Sequence, residues 1–258
     1  MKKFLSLAVA SLAVTAIASS VFASGDGPGV TSDEAYDKMK EGNERFVSGK
    51  MLYPNYDRQR RFETAKGQHP FVTVIGCSDS RVPIEAIFDQ GIGDTFIIRV
   101  AGNVCDTDEI GSIEYGVDHL GTPLLVVLGH ESCGAVTAVV KEADVHGSIP
   151  ALVDNIEPAV EHAKKLHPRL SPDDLVPFAV RANVMQSIED LLTHSDSVRE
   201  RAKDHRVRIV GAVYDLETGK VSWLGEHPRM GSLLKAPTVD AHGGDHGHDD
   251  DHAGGPTH

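Results

Sequence analysis

The sequence predicts an α/β fold in which a central, mostly parallel β-sheet is flanked by helices. Two apolar runs of six residues, 71–76 and 124–129, each follow a proline and end in glycine. Such runs are typical of strands buried on both faces, as in parallel sheets. Further apolar runs alternate with stretches of helical periodicity, which indicates strands joined by right-handed helical crossovers.

The first 23 residues have the order of a secretory signal peptide. Lys2 and Lys3 precede an apolar run over residues 4–17, and Val21-Phe22-Ala23 has the form of a cleavage site. An uncleaved anchor is the alternative, although the run is short for a membrane span. We therefore expect a periplasmic or secreted protein, with no membrane attachment after cleavage and a flexible mature N-terminus over residues 24–30.

An N-terminal helical arm is expected next. Thr31 and Glu34 have the spacing of a capping box, which predicts a helix to about residue 48. Its apolar face consists of Ala35, Met39 and Phe46. Such a face needs a partner, which is either this core or another subunit. A linker and a second, basic helix over residues 57–66 follow.

The middle of the chain supplies the strands and most of the helices. After the strand at 71–76, Pro83 suits the first turn of a short helix. The other predicted elements are a buried strand at 94–100, a turn at 101–103, a helix from Thr107 with Ile110, Ile113, Val117 and Leu120 on one side, a strand at 124–129, a helix at 134–140, a helical region at 149–202, a buried strand at 208–214 and an edge strand at 220–224. Prolines 158, 168, 172 and 177 are expected to interrupt the helical region.

One folded domain is expected over residues 31–236. From residue 240 onward the chain is rich in His and Asp and has no apolar side chain larger than Ala, which predicts a disordered tail over residues 237–258. Histidine-rich tracts bind transition metals loosely, so this tail is a candidate for extra metal ions. A solvated tail with no role is the alternative.

Charge and cysteine content exclude two classes of protein. The formal net charge is −13 at pH 7. Loss of Lys2 and Lys3 would take it to about −15, which argues against nucleic-acid binding. Three cysteines are an odd number, so a disulfide scaffold is not expected. A bound metal would hold two of them as thiolates, and Cys105 is left as a small buried residue.

Polar and thiol side chains follow the two six-residue strands. Cys77, Asp79 and Arg81 come after the first strand, and His130 and Cys133 come after the second. Open parallel sheets carry their chemistry at the carboxyl ends of the strands, so these side chains converge if the strands are neighbours. Two thiolates and one neutral imidazole suit zinc and leave a fourth position open. The sequence therefore predicts a zinc site at this edge of the sheet.

Asp79 has two expected states. It could be a fourth metal ligand in a closed form, or it could stay off the metal. Arg81, two residues later, can hold a carboxylate away through a bidentate ion pair. The residues alone leave both states open.

The combined pattern resembles the β-class carbonic anhydrases. Their zinc motif is Cys-x-Asp-x-Arg followed by His-x-x-Cys, as in residues 77–81 and 130–133 here. The resemblance extends from about Thr31 to Trp223 and includes the stretch 99–103, Arg-Val-Ala-Gly-Asn. It does not cover the leader or the His-rich tail.

The resemblance implies a role for each residue of the motif. Cys77, His130 and Cys133 would be the ligands of one Zn²⁺ per chain. Asp79 and Arg81 would be a catalytic pair, in which Arg81 holds Asp79 and Asp79 accepts a hydrogen bond from the zinc hydroxide. The substrate-binding residues that match the family are Gln68, Phe96, Ala101 and Tyr115. The tyrosine is expected to come from the neighbouring subunit.

The resemblance implies a zinc lyase, a carbonate dehydratase in which zinc-bound hydroxide attacks carbon dioxide to give bicarbonate and a proton. Two thiolates offset the charge of Zn²⁺, so we expect a rate that rises with pH. A pocket wall shared between subunits implies a homodimer or a tetramer.

Two alternatives to this function stay open at this point. Relatives of this fold hydrolyse carbonyl sulfide or carbon disulfide with the same zinc chemistry. A non-enzymatic periplasmic zinc-binding protein, with the His-rich tail as its working part, is the second alternative.

Overall fold

The computed structural model describes residues 29–237. The expected signal peptide, most of the segment 24–30 and the tail beyond residue 237 lie outside the described residues. Over residues 29–237, the helices are all too short or too polar to cross a membrane.

One five-stranded sheet forms the centre of the fold. Its strands are β1 (Val72–Gly76), β2 (Thr95–Arg99), β3 (Leu124–His130), β4 (Arg208–Tyr214) and β5 (Val221–Gly225). The order across the sheet is β2-β1-β3-β4-β5, with β5 antiparallel to β4 and all other pairs parallel. The predicted α/β fold with a mostly parallel sheet is confirmed, and β5 lies at an edge as expected.

The structure corrects the prediction for β2. The sequence indicated a buried strand, but β2 is half-buried along its length and Arg99 at its end is exposed. β2 is the outermost strand on the side opposite β5, so only β1 pairs with it. An apolar composition does not distinguish a central strand from an edge strand that a second element covers on one face.

Helices cover both faces of the sheet. Over residues 29–237 they are α1 (Ser32–Val47), α2 (Arg58–Thr64), α3 (Ile84–Ile87), α4 (Thr107–Glu114), α5 (Gly134–Val140), α6 (Ile149–Asp154), α7 (Glu157–Leu166), α8 (Pro172–His194), α9 (Asp196–Lys203) and α10 (Met230–Leu233). A single 3-10 turn spans Ala101–Asn103, and a π-helical turn, Tyr115–His119, extends α4. The expected helix from Thr107 therefore changes its hydrogen bonding after Glu114.

Pro177 does not interrupt a helix, contrary to the prediction. α8 includes Pro177 without a break. The proline lies in the second turn of the helix, so its missing N–H removes a single main-chain hydrogen bond. Val176, directly before the proline, and Ala179, two residues after it, belong to the core. Such tertiary packing supplies most of the stability of a helix. Pro158 and Pro172 lie in first turns, where proline is well tolerated.

Each face of the sheet has its own apolar core. On one face, Ile75 and Val127 pack with residues of α4, α5, α7 and α8. On the other face, Val74 and Val126 pack with α1 and α3. Successive strand residues point to opposite faces, so the central strands contribute to both cores. For this reason these strands are continuous apolar runs in the sequence.

The apolar face of α1 is covered by its own chain. The predicted capping box is present, because Thr31 Oγ1 accepts from the Glu34 N–H and the Glu34 carboxylate accepts from the Thr31 N–H. Ala35 and Met39 are fully buried in the core on this side of the sheet. Of the two partners left open by the sequence, the structure therefore provides the first, the core of the same chain.

Asp89 fixes the linker between α1 and α2 to the rest of the domain. Its carboxylate accepts from Arg45 Nε at 2.6 Å and from the main-chain N–H groups of Leu52 and Tyr53 at 2.9 and 3.0 Å. The residue is buried and has a φ of 46°, a left-handed conformation that Asp tolerates better than most residues. Burial raises the pKa of this carboxyl, but the hydrogen bonds from Leu52, Arg45 and Tyr53 outweigh burial and lower it.

Asp89→Asn should lower the free energy of unfolding by about 2 kcal/mol at pH 7. The amide oxygen is a weaker acceptor than a carboxylate, and the amide NH₂ would face the Arg45 guanidinium and main-chain N–H groups without an acceptor. The native pKa is depressed, so the stabilisation is present above the unfolded-state pKa of about 3.9 and is lost as pH falls through the native pKa. Urea denaturation should show the two proteins converging below about pH 4. Asp37→Asn, at an exposed ion pair of α1, is the control and should have little effect. A difference that persisted in strong acid would contradict this assignment.

Candidate metal centre

Three side chains meet where β1 and β3 end. The two strands are parallel neighbours, with Gly76 paired to Leu128. Cys77 directly follows β1, His130 is the last residue of β3, and Cys133 is the N-cap of α5. One ligand atom from each of these three buried residues lies within 4.8 Å of the other two. The structure thus brings the three predicted metal ligands together.

His130 presents an unpaired ring nitrogen to this cluster. Its Nδ1 lies 2.9 Å from the carbonyl oxygen of Glu131, which can only accept, so we assign the proton to Nδ1. Nε2 then carries a lone pair, and this buried atom has no hydrogen-bond partner among the described residues. Metal-ligating histidines characteristically donate their other N–H to a carbonyl in this way. The orphaned Nε2 therefore fits a metal ligand.

The pKa values of the two cysteines of the cluster are shifted in opposite directions. Hydrogen bonding from the Cys133 thiol lowers the pKa of Cys77 against the effect of burial, and the N–H of Gly102 lowers it further. The pKa of Cys133 is raised by its interaction with Cys77 and by burial. The Gly102 N–H lies 3.4 Å from Cys77 Sγ. A divalent cation bound between them would allow both sulfurs to ionise.

The donor set as a whole fits zinc. Two sulfurs and one imidazole nitrogen are the ligand types that Zn²⁺ prefers, and hard cations such as Mg²⁺ or Ca²⁺ prefer oxygen. Three protein ligands also leave a fourth position for water or substrate, as in catalytic zinc sites.

Arg81 holds Asp79 at the border of the cluster. The Arg81 main-chain N–H and Nε donate to Asp79 Oδ1 at 2.9 and 3.0 Å, and Nη2 donates to Oδ2 at 2.7 Å. These bonds hold the pKa of Asp79 well below its usual range. Asp79 Oδ2 lies 3.8 Å from His130 Nε2, but Asp79 is not one of the three clustered ligand residues. The structure thus contains the bidentate ion pair between Arg81 and Asp79 that the sequence led us to expect.

Arg99 anchors the loop that carries Cys77. Its Nε donates to the Cys77 carbonyl at 3.1 Å, and its Nη2 donates to the Asp79 carbonyl at 2.6 Å. Arg99 is the last residue of β2 and is level with Gly76 at the end of β1, so its side chain reaches the loop directly. The sequence motif contains Arg99, but only the structure reveals that it supports this loop.

Two of the predicted pocket residues, Ala101 and Gln68, lie near opposite ends of β1. Ala101 lies beside the cluster, because the next residue, Gly102, bonds to Cys77. Gln68 is exposed in the segment before β1. At ~3.3 Å per residue, the length of β1 separates this segment from Cys77 by about 16 Å.

Phe96 and Tyr115 also lie away from the cluster of their own chain. Phe96 pairs with Thr73 near the start of β1, and its ring centroid is 5.8 Å from that of Tyr115. The four residues from Thr73 to Cys77 correspond to about 13 Å along the sheet. A single chain therefore does not bring Gln68, Phe96 or Tyr115 to its own metal cluster.

Cys105 is separate from the cluster. It is buried in the core with 4% of its surface exposed, and burial raises the pKa of its thiol well above the usual value. This environment agrees with the expected small buried residue.

The chain is similar to known proteins along most of its folded part. The family model described as "Carbonic anhydrase" matches residues 72–221. "Carbonic anhydrase 2" of Mycobacterium tuberculosis is 38% identical over 198 residues, which cover 75% of this chain and 93% of that protein. The β-carbonic anhydrase CafA of Aspergillus fumigatus superposes with a TM-score of 0.64 at 27% identity, covering 81% of this chain and 99% of that one. A structure of tetrameric β-carbonic anhydrases from Sordaria macrospora has a TM-score of 0.59 at 25% identity, covering 75% of this chain and 98% of that one.

Cys133→Ser should lose the metal, whereas Cys105→Ser should keep it. A serine hydroxyl does not ionise at neutral pH and is a poor zinc ligand, so two ligands would remain in the first variant. After exhaustive dialysis, elemental analysis should find about one zinc per chain in the parent and in Cys105→Ser, and almost none in Cys133→Ser. Equal zinc content in both variants would contradict the assignment of the ligands.

Proposed function

This chain belongs to the β-class carbonic anhydrase family, and from that membership we propose that it hydrates carbon dioxide reversibly with one Zn²⁺ held by Cys77, His130 and Cys133. The observation that carries the proposal is the buried, unpartnered Nε2 of His130 next to two cysteine sulfurs. The chemistry that zinc supplies, when it is bound, is the activation of a water molecule as a nucleophile. The products are bicarbonate and a proton.

Asp79 is assigned the role of hydrogen-bond acceptor beside the metal. It stays ionised at working pH, because the bonds from Arg81 lower its pKa. An ionised carboxylate can only accept, so it would take the hydrogen bond of the nucleophilic water and orient that water towards the substrate. Arg81 keeps the carboxylate in this position through bonds to both of its oxygens. Asp79 could become a fourth ligand in a closed form only after it left Arg81.

A second copy of the chain would complete the substrate pocket. Three of the pocket residues lie near the amino end of β1, away from the cluster at its carboxyl end: Gln68, Phe96 and Tyr115. They can therefore contribute to a metal site only from another chain. In such a homodimer or tetramer, the Gln68 amide would donate to a substrate oxygen, and the rings would join Ala101 in an apolar wall. Such a wall suits carbon dioxide, which has no net dipole. Light scattering that found only monomers in a fully active preparation would rule out the shared pocket.

We make separate proposals for the two ends of the chain. The signal-peptide pattern of residues 1–23 supports export to the periplasm or the medium. N-terminal sequencing of the mature protein would decide this, since a retained Met1 would contradict cleavage. The His- and Asp-rich tail supports loose binding of extra metal ions as an accessory to the catalytic site.

Carbon dioxide hydration is the direct test of the proposed function. In stopped-flow measurements, the zinc-loaded protein should hydrate carbon dioxide at a rate that rises with pH, because two thiolate ligands make the nucleophilic water ionise less readily than at a three-histidine site, where its pKa is ~7. A chain that ends at residue 239 should keep its zinc and its rate.

Two results would favour the alternatives. Faster hydrolysis of carbonyl sulfide or carbon disulfide than hydration of carbon dioxide, in the same preparation, would reassign the substrate. Absence of turnover, together with loss of all zinc from the chain that ends at residue 239, would favour a zinc-binding protein that works through its tail.

Asp79→Asn should keep the zinc but lower kcat by roughly 100-fold, because an amide can donate as well as accept and no longer enforces one orientation of the water. Zinc content and kcat are measured on the same preparation. Asp204→Asn is a matched control, since Asp204 forms an exposed ion pair with Arg206, at the same spacing as Asp79 and Arg81, before the amino end of β4 and therefore at the edge of the sheet opposite the cluster. Loss of zinc in parallel with loss of rate would identify Asp79 as a metal ligand instead.

A further inference from the structure

α8 contacts the 3-10 turn that supplies a hydrogen bond to Cys77. This turn, Ala101–Asn103, is called the glycine turn below. Asn183 Nδ2 donates to the Gly102 carbonyl at 2.7 Å, and Ser187 Oγ lies 2.9 Å from the carbonyl oxygens of both Asn103 and Asn183, which compete for its one proton. Asn183 and Ser187 are each 1% exposed. They lie four residues apart in α8, so they occupy the same face of the helix.

The glycine turn has an unusual backbone conformation. Gly102 and Asn103 have φ values of 73° and 47°, so two consecutive residues are in the left-handed region. That region is unfavourable for most residues with a side chain, and glycine and asparagine are the residues that enter it most readily. A Cβ on Gly102 would lie 2.7 Å from Ile156 Cδ1, so the backbone is packed tightly against its surroundings. The hydrogen bonds from α8 therefore add to this close packing in fixing the conformation of the turn.

We infer that Asn183 is a positioning residue of the metal centre, because it holds Gly102 so that the Gly102 N–H points at Cys77 Sγ. The chain of contacts is short: Asn183 bonds to the Gly102 carbonyl, and the Gly102 N–H lies 3.4 Å from the sulfur. The inference rests on the proposed metal site, since it concerns Cys77 as a ligand. Asn183 itself bonds to neither the sulfur nor the imidazole.

A second observation separates this role from ordinary packing. Asn183 Oδ1 is buried and accepts no hydrogen bond from the described residues. An unpaired buried acceptor destabilises the fold, and a leucine of similar volume would avoid that cost. Leucine could not, however, hold the Gly102 carbonyl. Asn183 therefore contributes one hydrogen bond to the glycine turn, from Nδ2, at the cost of an unpaired Oδ1.

The bond to the sulfur has a chemical consequence. A hydrogen bond to a ligating thiolate withdraws electron density from sulfur, which makes the thiolate a weaker donor to the metal. When the sulfur donates less, the metal keeps more of its positive charge and polarises the water in the fourth position more strongly. Through Gly102, Asn183 would thus favour ionisation of the nucleophilic water at a site that two thiolates otherwise make electron-rich.

Asn183→Leu in the cobalt-substituted protein tests this inference. The thiolate-to-cobalt charge-transfer band should move to longer wavelength, because a sulfur without its hydrogen bond gives up an electron more easily. Zinc affinity should fall by about 10-fold, the lower end of the range for supporting residues of metal sites, because the loss of a fixed position for Cys77 outweighs the stronger donation of its sulfur. The rate of hydration should reach half of its maximum at a higher pH than in the parent.

Asn43→Leu is the matched control. Asn43 is also a buried asparagine, and its Nδ2 donates to the carbonyls of Ile87 and Gly219 on the face of the sheet opposite the core that contains Cys77 and Cys133. This variant should lose thermal stability while its charge-transfer band and its pH profile stay those of the parent. If Asn183→Leu does not fold, Ser187→Ala replaces it, because it loosens the next carbonyl of the glycine turn and should shift the band in the same direction.

Two results would overturn the inference, and they are distinguishable. A folded Asn183→Leu or Ser187→Ala protein whose band and pH profile match those of Asn43→Leu would mean that α8 only packs against the turn. Failure of the parent protein to bind one cobalt with a charge-transfer band would refute the proposed metal site, and the inference with it.

Discussion

The parallel pairing of β1 with β3 is the constraint on which the rest of the structure depends. It places Gly76 level with Leu128, so the residues that leave the two strands emerge at the same edge of the sheet. Cys77 and His130 therefore lie close together, and the two residues that follow β3 return the chain so that Cys133, the N-cap of α5, reaches the same point. A shift of the register by one residue would turn every side chain of a strand to the other face and separate the ligands. Burial on both faces, by two apolar cores, makes such a shift costly.

Support for the cluster comes from residues that are not part of it. Arg99 at the end of β2 holds the Cys77 loop, and Arg81 holds Asp79 beside it. The glycine turn directs an N–H at Cys77 Sγ and is itself bonded to α8. Such supporting contacts orient metal ligands and tune their donor strength. The cluster thus lies at the carboxyl ends of β1, β2 and β3, and α8 supports it from behind.

Strand polarity also explains why one chain holds only part of the proposed pocket. All ligands lie beyond the carboxyl end of β1, whereas Gln68 precedes its amino end and Phe96 is level with Thr73. The length of the strand cannot be bridged by side chains of the same chain. β2, half-buried and paired on one side only, is consistent with an edge at which a second chain could add cover. The solved β-carbonic anhydrases that resemble this fold include tetramers.

The sequence by itself determined the fold class, nearly all of the strands and helices, and the three residues that form the metal cluster. These features follow from local patterns: apolar runs that end in glycine, a capping box, and Cys and His residues placed directly after strands. Only the tertiary structure decided that β2 is an edge strand, that α8 continues through Pro177, that α1 packs on its own core, and that Asn183 bonds to a turn 81 residues away. Those outcomes depend on which elements become neighbours in space, and a pattern within one segment carries no information about the segment that will pack against it.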